Sequence, residues 1–99
     1  MKSINPAMLE RKQVYKLLTG SIVPRPIAWV SSQAEDGTLN LAPYSYFTAA
    51  SANPPLVLFC VSPSSKPSTE KDTYNNVKTT KEFVINFVNA NTAQAMNIT

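Results

Sequence analysis

Residues 24–47 constrain the fold of this 99-residue chain most strongly, because they combine a proline-pinned apolar segment, a tight reversal and a second apolar segment. Pro24 and Pro26 hold their own φ near the extended range and push the residue before each of them out of helical conformations. They lead into Ile27-Ala28-Trp29-Val30-Ser31-Ser32, whose β-branched and aromatic content predicts a strand. Asp36-Gly37 follows as a strong hairpin signal, since glycine accepts the positive φ that tight strand reversals need. A second strand is expected over 38–42.

The flanking segments add helices and two further strands. Asn5 before Pro6 predicts a helix start, with Val14, Leu17 and Leu18 at helical spacing and Gly20 as the stop. Residues 43–55 are polar and small with embedded aromatics, which predicts a structured connection. Residues 56–61 are apolar at every position, so a strand covered on both faces is expected there. Residues 62–70 hold two prolines and four serines and read as a loop. Asp72 is expected to cap a helix reaching about residue 81, with Lys78 and Lys81 near its favourable end. Residues 83–88 form a fourth predicted strand, in which Asn86 needs a partner if it is buried. Residues 89–99 predict the beginning of a helix. With no repeat or internal boundary, residues 1–99 are expected to be a single domain. The fold class expected is mainly β, a small antiparallel barrel with peripheral helices. Four strands do not close a barrel, so it is expected to be incomplete within this chain or completed by another.

Composition narrows the classes of function. The apolar fraction of 43% and the low charged fraction of 15% describe a chain that folds rather than one that stays disordered. A chain of this size buries only about 60 to 70% of its unfolded surface, so a partner or ligand is expected to contribute to stability. The formal charge of +3 comes from scattered lysines without a dense basic stripe, which argues against nucleic-acid binding. Neither a secretion signal nor a run of about 20 apolar residues is present, so no membrane partner and a cytoplasmic location are expected. Cys60, inside an apolar run, is expected to be a reduced and buried small hydrophobe. With no histidine and no activating neighbour near Cys60 in sequence, no side chain reads as a general base or nucleophile. No metal-ligand spacing is evident.

The order of motifs carries a resemblance. Pro24-Arg25-Pro26-Ile27-Ala28-Trp29-Val30-Ser31, then Asn40-Leu41-Ala42-Pro43-Tyr44-Ser45-Tyr46-Phe47, then Lys71-Asp72-Thr73, resembles the flavin reductase-like family of FMN-binding split barrels over about residues 10–99. Pro-Arg-Pro alone is weak and Lys-Asp-Thr alone is worthless as a signal. Their order and spacing make the match. The resemblance implies a six-stranded split barrel, usually a homodimer, that holds FMN near the subunit interface and is often reduced by NADH or NADPH. It also implies a flavin reductase activity, in some cases as the reductase partner of a monooxygenase. Members of that family run to nearly twice this length, so this chain would be an N-terminal portion of the domain. Pairing of its exposed strand edges with another copy is then expected.

Under that resemblance, Arg25, Ala28, Val30, Ser31, Asn40, Ala42, Tyr44, Ser45, Lys71 and Thr73 are the candidate cofactor-binding residues. FMN needs an anion site for its phosphate, donors and acceptors along its ring, and walls that exclude water. The Lys71 ammonium, the Thr73 hydroxyl and the amides of the following helix start are the phosphate candidates. Ser31, Ser32, Asn40 and Ser45, with backbone groups of Ala28, Val30 and Ala42, are candidates for the ring edge or ribityl chain. Pro43, Tyr44 and Phe47 would shape a wall, while Trp29 and Phe59 belong to the core. The plainer readings are a rim charge for Arg25, a solvated helix start for Lys71 and Thr73, packing for Tyr44 and Tyr46, and a structural role for Asn86. Two other classes remain open beside the reductase: a flavin-binding or oligomerising module without turnover, and a small nucleic-acid-binding barrel.

Overall fold

The computed structural model describes residues 1–63 and 70–99. A 3-10 turn at Pro6–Met8 precedes helix α1, Arg11–Ser21. Strands β1 (Ala28–Gln33), β2 (Leu39–Tyr44), β3 (Phe47–Ala52) and β4 (Pro55–Phe59) come next. Helix α2 (Asp72–Thr80), strand β5 (Val84–Asn86) and helix α3 (Ala93–Ile98) complete the order. The mainly β class with peripheral helices is therefore as expected. The loop expected over 62–70 lies mostly outside the described residues.

β1 is the centre of an antiparallel sheet of order β2-β1-β5, and β3 and β4 form a second, two-stranded antiparallel sheet. The β1–β2 reversal follows the local chemistry read from the sequence. Gly37 takes a φ of 89°, and the Asp36 carboxylate accepts the Thr38 amide at 2.9 Å. That amide holds the Asp36 carboxyl below its ordinary pKa. The register pairs Ala28 with Tyr44, Val30 with Ala42 and Ser32 with Asn40. Residues paired directly across a ladder share one face, so these six point toward α2 and the core.

The chain passes from β2 into β3 through Ser45 and Tyr46, and the Cys60 amide donates to the Tyr46 carbonyl at 2.9 Å, extending the β3–β4 ladder at its open end. Buried Ala28, Val30 and Tyr44 form the centre of the core, with Ala42, Phe47, Phe59, Val61 and Ile85 packed against them. Tyr44 and Phe59 lie with ring centroids 5.4 Å apart, and Phe83 meets Phe59 edge-on at 5.1 Å. Aromatic pairs at these separations add stabilisation beyond the area they bury.

Several local expectations are corrected. Asn5-Pro6 opens only the 3-10 turn, where the Asn5 side chain accepts the Ala7 amide at 3.1 Å. The long helix has its own start at Glu10, whose amide donates to the Gln13 side chain at 2.9 Å. Gly20 does not stop α1, which runs through it to Ser21; of the two glycines only Gly37 adopts a positive φ. Asp72 is the first residue of α2 rather than its cap, which is Lys71. The connection expected over 43–55 holds the end of β2 and all of β3, with an irregularity in register between Ala49 and Ser51.

The largest correction concerns coverage. Leu56, Val57 and Leu58 in β4 are each about half exposed, at 53, 52 and 51%, although an apolar run of this kind predicts burial on both faces. Cys60, just beyond β4, is exposed rather than buried. The cause is topological: among the described residues β4 has only β3 beside it. The radius of gyration of 15.8 Å also exceeds the roughly 13 Å of a compact domain of this length. The sheets form an open part of a barrel.

Candidate functional site

Strand β2 connects two clusters of the candidate residues. At its first end, the Asn40 amide donates to the Thr73 hydroxyl at 2.7 Å, while Asn76 donates to the Ser32 hydroxyl at 3.1 Å. Thr73 and Asn76 are three residues apart on α2, and so share a face. They are the two residues of α2 that are buried. These bonds stitch the helix to β1 and β2 and fix where its N-terminus lies. Lys71 caps that end, exposed, with no side-chain hydrogen bond to the free amides of the first turn. Glu70 and Asp72 flank Lys71, so positive potential there comes from one ammonium and the helix amides.

At the other end of β2, about 16 Å along an extended strand, Arg25 organises the corner. Its Nε donates to the Ser45 hydroxyl at 3.3 Å. Its Nη1 donates to the Thr19 carbonyl at 2.7 Å and to the Ile22 carbonyl. Its guanidinium also lies 5.8 Å from the centroid of the Tyr46 ring. The Tyr46 hydroxyl is buried without a hydrogen-bond partner among the described residues. An orphaned polar atom of this kind costs about 1–3 kcal/mol until something satisfies it.

The remaining candidates lie in the core or in the β1 ladder. Ala28 and Val30 are fully buried, and Val30 is flanked by Ala42 on β2 and Ile85 on β5, so its backbone lies inside the ladder. Ala42 and Tyr44 belong to the same core. Ser31 points to the opposite face of β1, where its hydroxyl accepts Asn86 Nδ2 at 3.2 Å. Asn86 also donates to the Trp29 carbonyl at 3.0 Å, which is the structural role expected of it. Trp29 is half-buried, its indole donating to Thr99 at 3.0 Å. The structure therefore groups Asn40, Lys71 and Thr73 at one place and Arg25, Ser45 and Tyr46 at another. Sequence reasoning missed Asn76 and the helix-end carbonyls that bind Arg25. The spacing of Thr73 and Asn76 was the available signal for the first.

Open clefts lie against these elements, among them one of about 620 Å³ beside Ser31, Ser32 and Leu39. A second of about 630 Å³ runs between β4 and α2, past Val57, Thr73, Val77 and Phe83. Another of about 500 Å³ is lined by Ile27, Phe47, Phe87 and Met96. Among the described residues, no helix is long and apolar enough to cross a membrane, and no group of three or more His, Cys, Asp or Glu is placed to hold a metal ion.

Residues 19–99 match the family model described as a flavin reductase like domain. The chain belongs to the flavin reductase-like family. It is 46% identical over 86 residues to an uncharacterized protein of Aquifex aeolicus, covering 87% of this chain and 43% of that one. It is 40% identical over 96 residues to an uncharacterized protein of Halalkalibacterium halodurans, covering 96% and 45%. The chain thus spans less than half the length of these relatives. Nitrilotriacetate monooxygenase component B from Bacillus cereus superposes with a TM-score of 0.91 at 46% identity, over 98% of this chain and 48% of that one. Pseudomonas fluorescens 2-nitrobenzoate 2-nitroreductase superposes at 0.84 with 38% identity, over 97% and 45%. The open sheets are therefore part of the flavin reductase fold.

The chain's residues suit a phosphate-bearing flavin on chemical grounds. Uncapped helix amides beside Lys71 suit a phosphate, and the Ser45 hydroxyl and orphaned Tyr46 hydroxyl suit a ligand with several hydrogen-bonding atoms.

Proposed function

We propose that this chain is the FMN-binding portion of an NAD(P)H-dependent flavin reductase, of the kind that serves a monooxygenase as its reductase partner. The observation that supports it most is the pairing along β2 of an anion-competent helix start with a hydroxyl-bearing corner. An elongated ligand with a phosphate at one end and a polar ring at the other matches that arrangement. Lys71 and the first amides of α2 hold the phosphate. Thr73, buried and bonded to Asn40, positions that helix start rather than reaching the anion itself. Ser45 and Tyr46 address the ring or ribityl chain, and Ser31 is a further contact from the other face of β1. Ala28, Val30, Ala42 and Tyr44 support the site from behind as packed core.

FMN held there would supply the hydride-transfer chemistry. The chain's own part is to bind, orient and exclude water, and no side chain is assigned as a catalytic acid, base or nucleophile. Its clefts are open, so water exclusion requires cover from further chain or a second copy. Assembly as a homodimer and a cytoplasmic location belong to the same proposal. Sedimentation equilibrium is expected to show self-association through the half-exposed β3–β4 hairpin; a monomer at every concentration removes the dimer from the proposal.

Oxidation of NADH or NADPH, followed at the nicotinamide absorbance, tests the activity. Turnover that requires added FMN is expected. Binding of FMN without any nicotinamide oxidation leaves a flavin-binding module in place of an enzyme.

A further inference from the structure

We propose that Arg25 is a positioning residue that fixes the Ser45 hydroxyl as a hydrogen-bond donor toward the flavin. This rests on the flavin reading above. A guanidinium carries five N–H donors and no acceptor. Nη1 donates to two carbonyls, Thr19 at 2.7 Å and Ile22. Both lie at the C-terminal end of α1, where carbonyls lack partners within the helix and the dipole favours positive charge. These charge-assisted bonds hold the group from the helix side and leave Nε aimed at Ser45 Oγ, 3.3 Å away. The face of Tyr46 packs against the same guanidinium.

The polarity of that contact has a consequence for the ligand. A hydroxyl has one hydrogen to give and two lone pairs to offer. Arg25 can only donate, so it occupies a lone pair of Ser45. The single hydrogen must be given elsewhere, and no acceptor takes it among the described residues. Ser31, Ser32 and Thr73 also accept N–H groups, from Asn86, Asn76 and Asn40. An asparagine amide has both a donor and an acceptor end, so turning it over would reverse those bonds. Arginine offers no such reversal. Among these four hydroxyls Ser45 is thus the one whose direction is dictated by its partner's chemistry, and the adjacent positive charge polarises its O–H further. The flavin atom that meets it is an acceptor: a ring carbonyl oxygen, an unprotonated ring nitrogen or a ribityl oxygen.

The test is a double-mutant cycle on FMN binding, with affinity and the visible band of bound FMN as readouts. Ser45→Ala is expected to weaken FMN about five- to tenfold, the worth of one hydrogen bond. Arg25→Lys keeps a cation for the helix-end carbonyls but loses the fork, and is expected to weaken FMN by a similar factor and to shift the bound-flavin band in the same direction as Ser45→Ala. In the Ser45→Ala background, Arg25→Lys is expected to add less than twofold, because its effect passes through Ser45. An equal loss in both backgrounds overturns the proposal, and so does unchanged FMN binding in both single variants. Ser45→Thr and Ser45→Val test the donor without touching the helix end. Thr is expected to bind within about twofold of Ser, and Val to behave as Ala. Val binding as well as Ser overturns the donor role. Failure of the unaltered chain to bind FMN would instead remove the flavin reading, and this inference with it.

Discussion

Tyr44→Ala is expected to lower the stability of the chain by about 3–5 kcal/mol, the range found when a buried aromatic is cut back to alanine. Tyr44 is only 8% exposed, and its ring joins β2 to β4 through Phe59, which in turn meets Phe83. Ala28 and Val30 are the other hydrophobics buried with it, and neither has a ring to take over those contacts. A single domain holds only about 5–15 kcal/mol in total, and this one is open on one side, so the loss is a large share. Urea unfolding followed by far-ultraviolet circular dichroism measures it. Tyr44→Phe keeps the ring and is expected to stay within about 1.5 kcal/mol, the worth of one hydrogen bond. Equal destabilisation by both would mean that the hydroxyl, not the packed ring, holds the two sheets together.

Lys71→Ala is expected to weaken FMN about tenfold, the lower end for a hydrogen bond to a charged group, since Lys71 is exposed. Riboflavin, which lacks the phosphate, is expected to change by less than twofold. The difference between the ligands isolates the charge from general damage to the site. Raising the salt concentration should narrow it, because an exposed ion pair is screened over about 8–10 Å at physiological strength. Thr73→Ala is a poorer probe, as it also removes the buried bond to Asn40 that docks α2 on the sheet. Equal losses for FMN and riboflavin in Lys71→Ala would remove the phosphate role.

The parts of the fold legible in the sequence were those decided by local chemistry. Asp36-Gly37 gave the β1–β2 reversal because only glycine readily takes the φ of 89° that the turn uses. The ends of α2 were close to expectation for the same kind of reason, although the cap fell on Lys71. β3 was hidden because Thr48-Ala49-Ala50-Ser51-Ala52 is small and lacks the bulk that marks a strand; its pairing with β4 supplies what its propensity does not. Gly20 misled because a glycine inside a helix costs only about 1 kcal/mol, which α1 tolerates. Cys60 and Leu56 to Leu58 misled in the other direction: an apolar run says that cover is needed, not which element provides it.

The candidate site divides along the same line. Residue type identified Ser45, Lys71 and Asn40 as polar groups worth placing, and the family motif grouped them. Their roles depend on partners far away in sequence, such as Thr73 for Asn40 and the α1 carbonyls for Arg25. No spacing rule encodes those contacts. Under the proposal above, Arg25 moves from a contact for the anionic cofactor to a group that orients one.

The measurement that tests the flavin site most directly is titration of the chain with FMN, read as a change in the flavin's visible band and as a shift in melting temperature. A saturable spectral change is expected, with the melting temperature rising as FMN is added. A ligand held at about 100 times its dissociation constant stabilises the native state by roughly 2.7 kcal/mol. Millimolar FMN that alters neither the band nor the melting temperature would contradict the assignment of a flavin site to these residues.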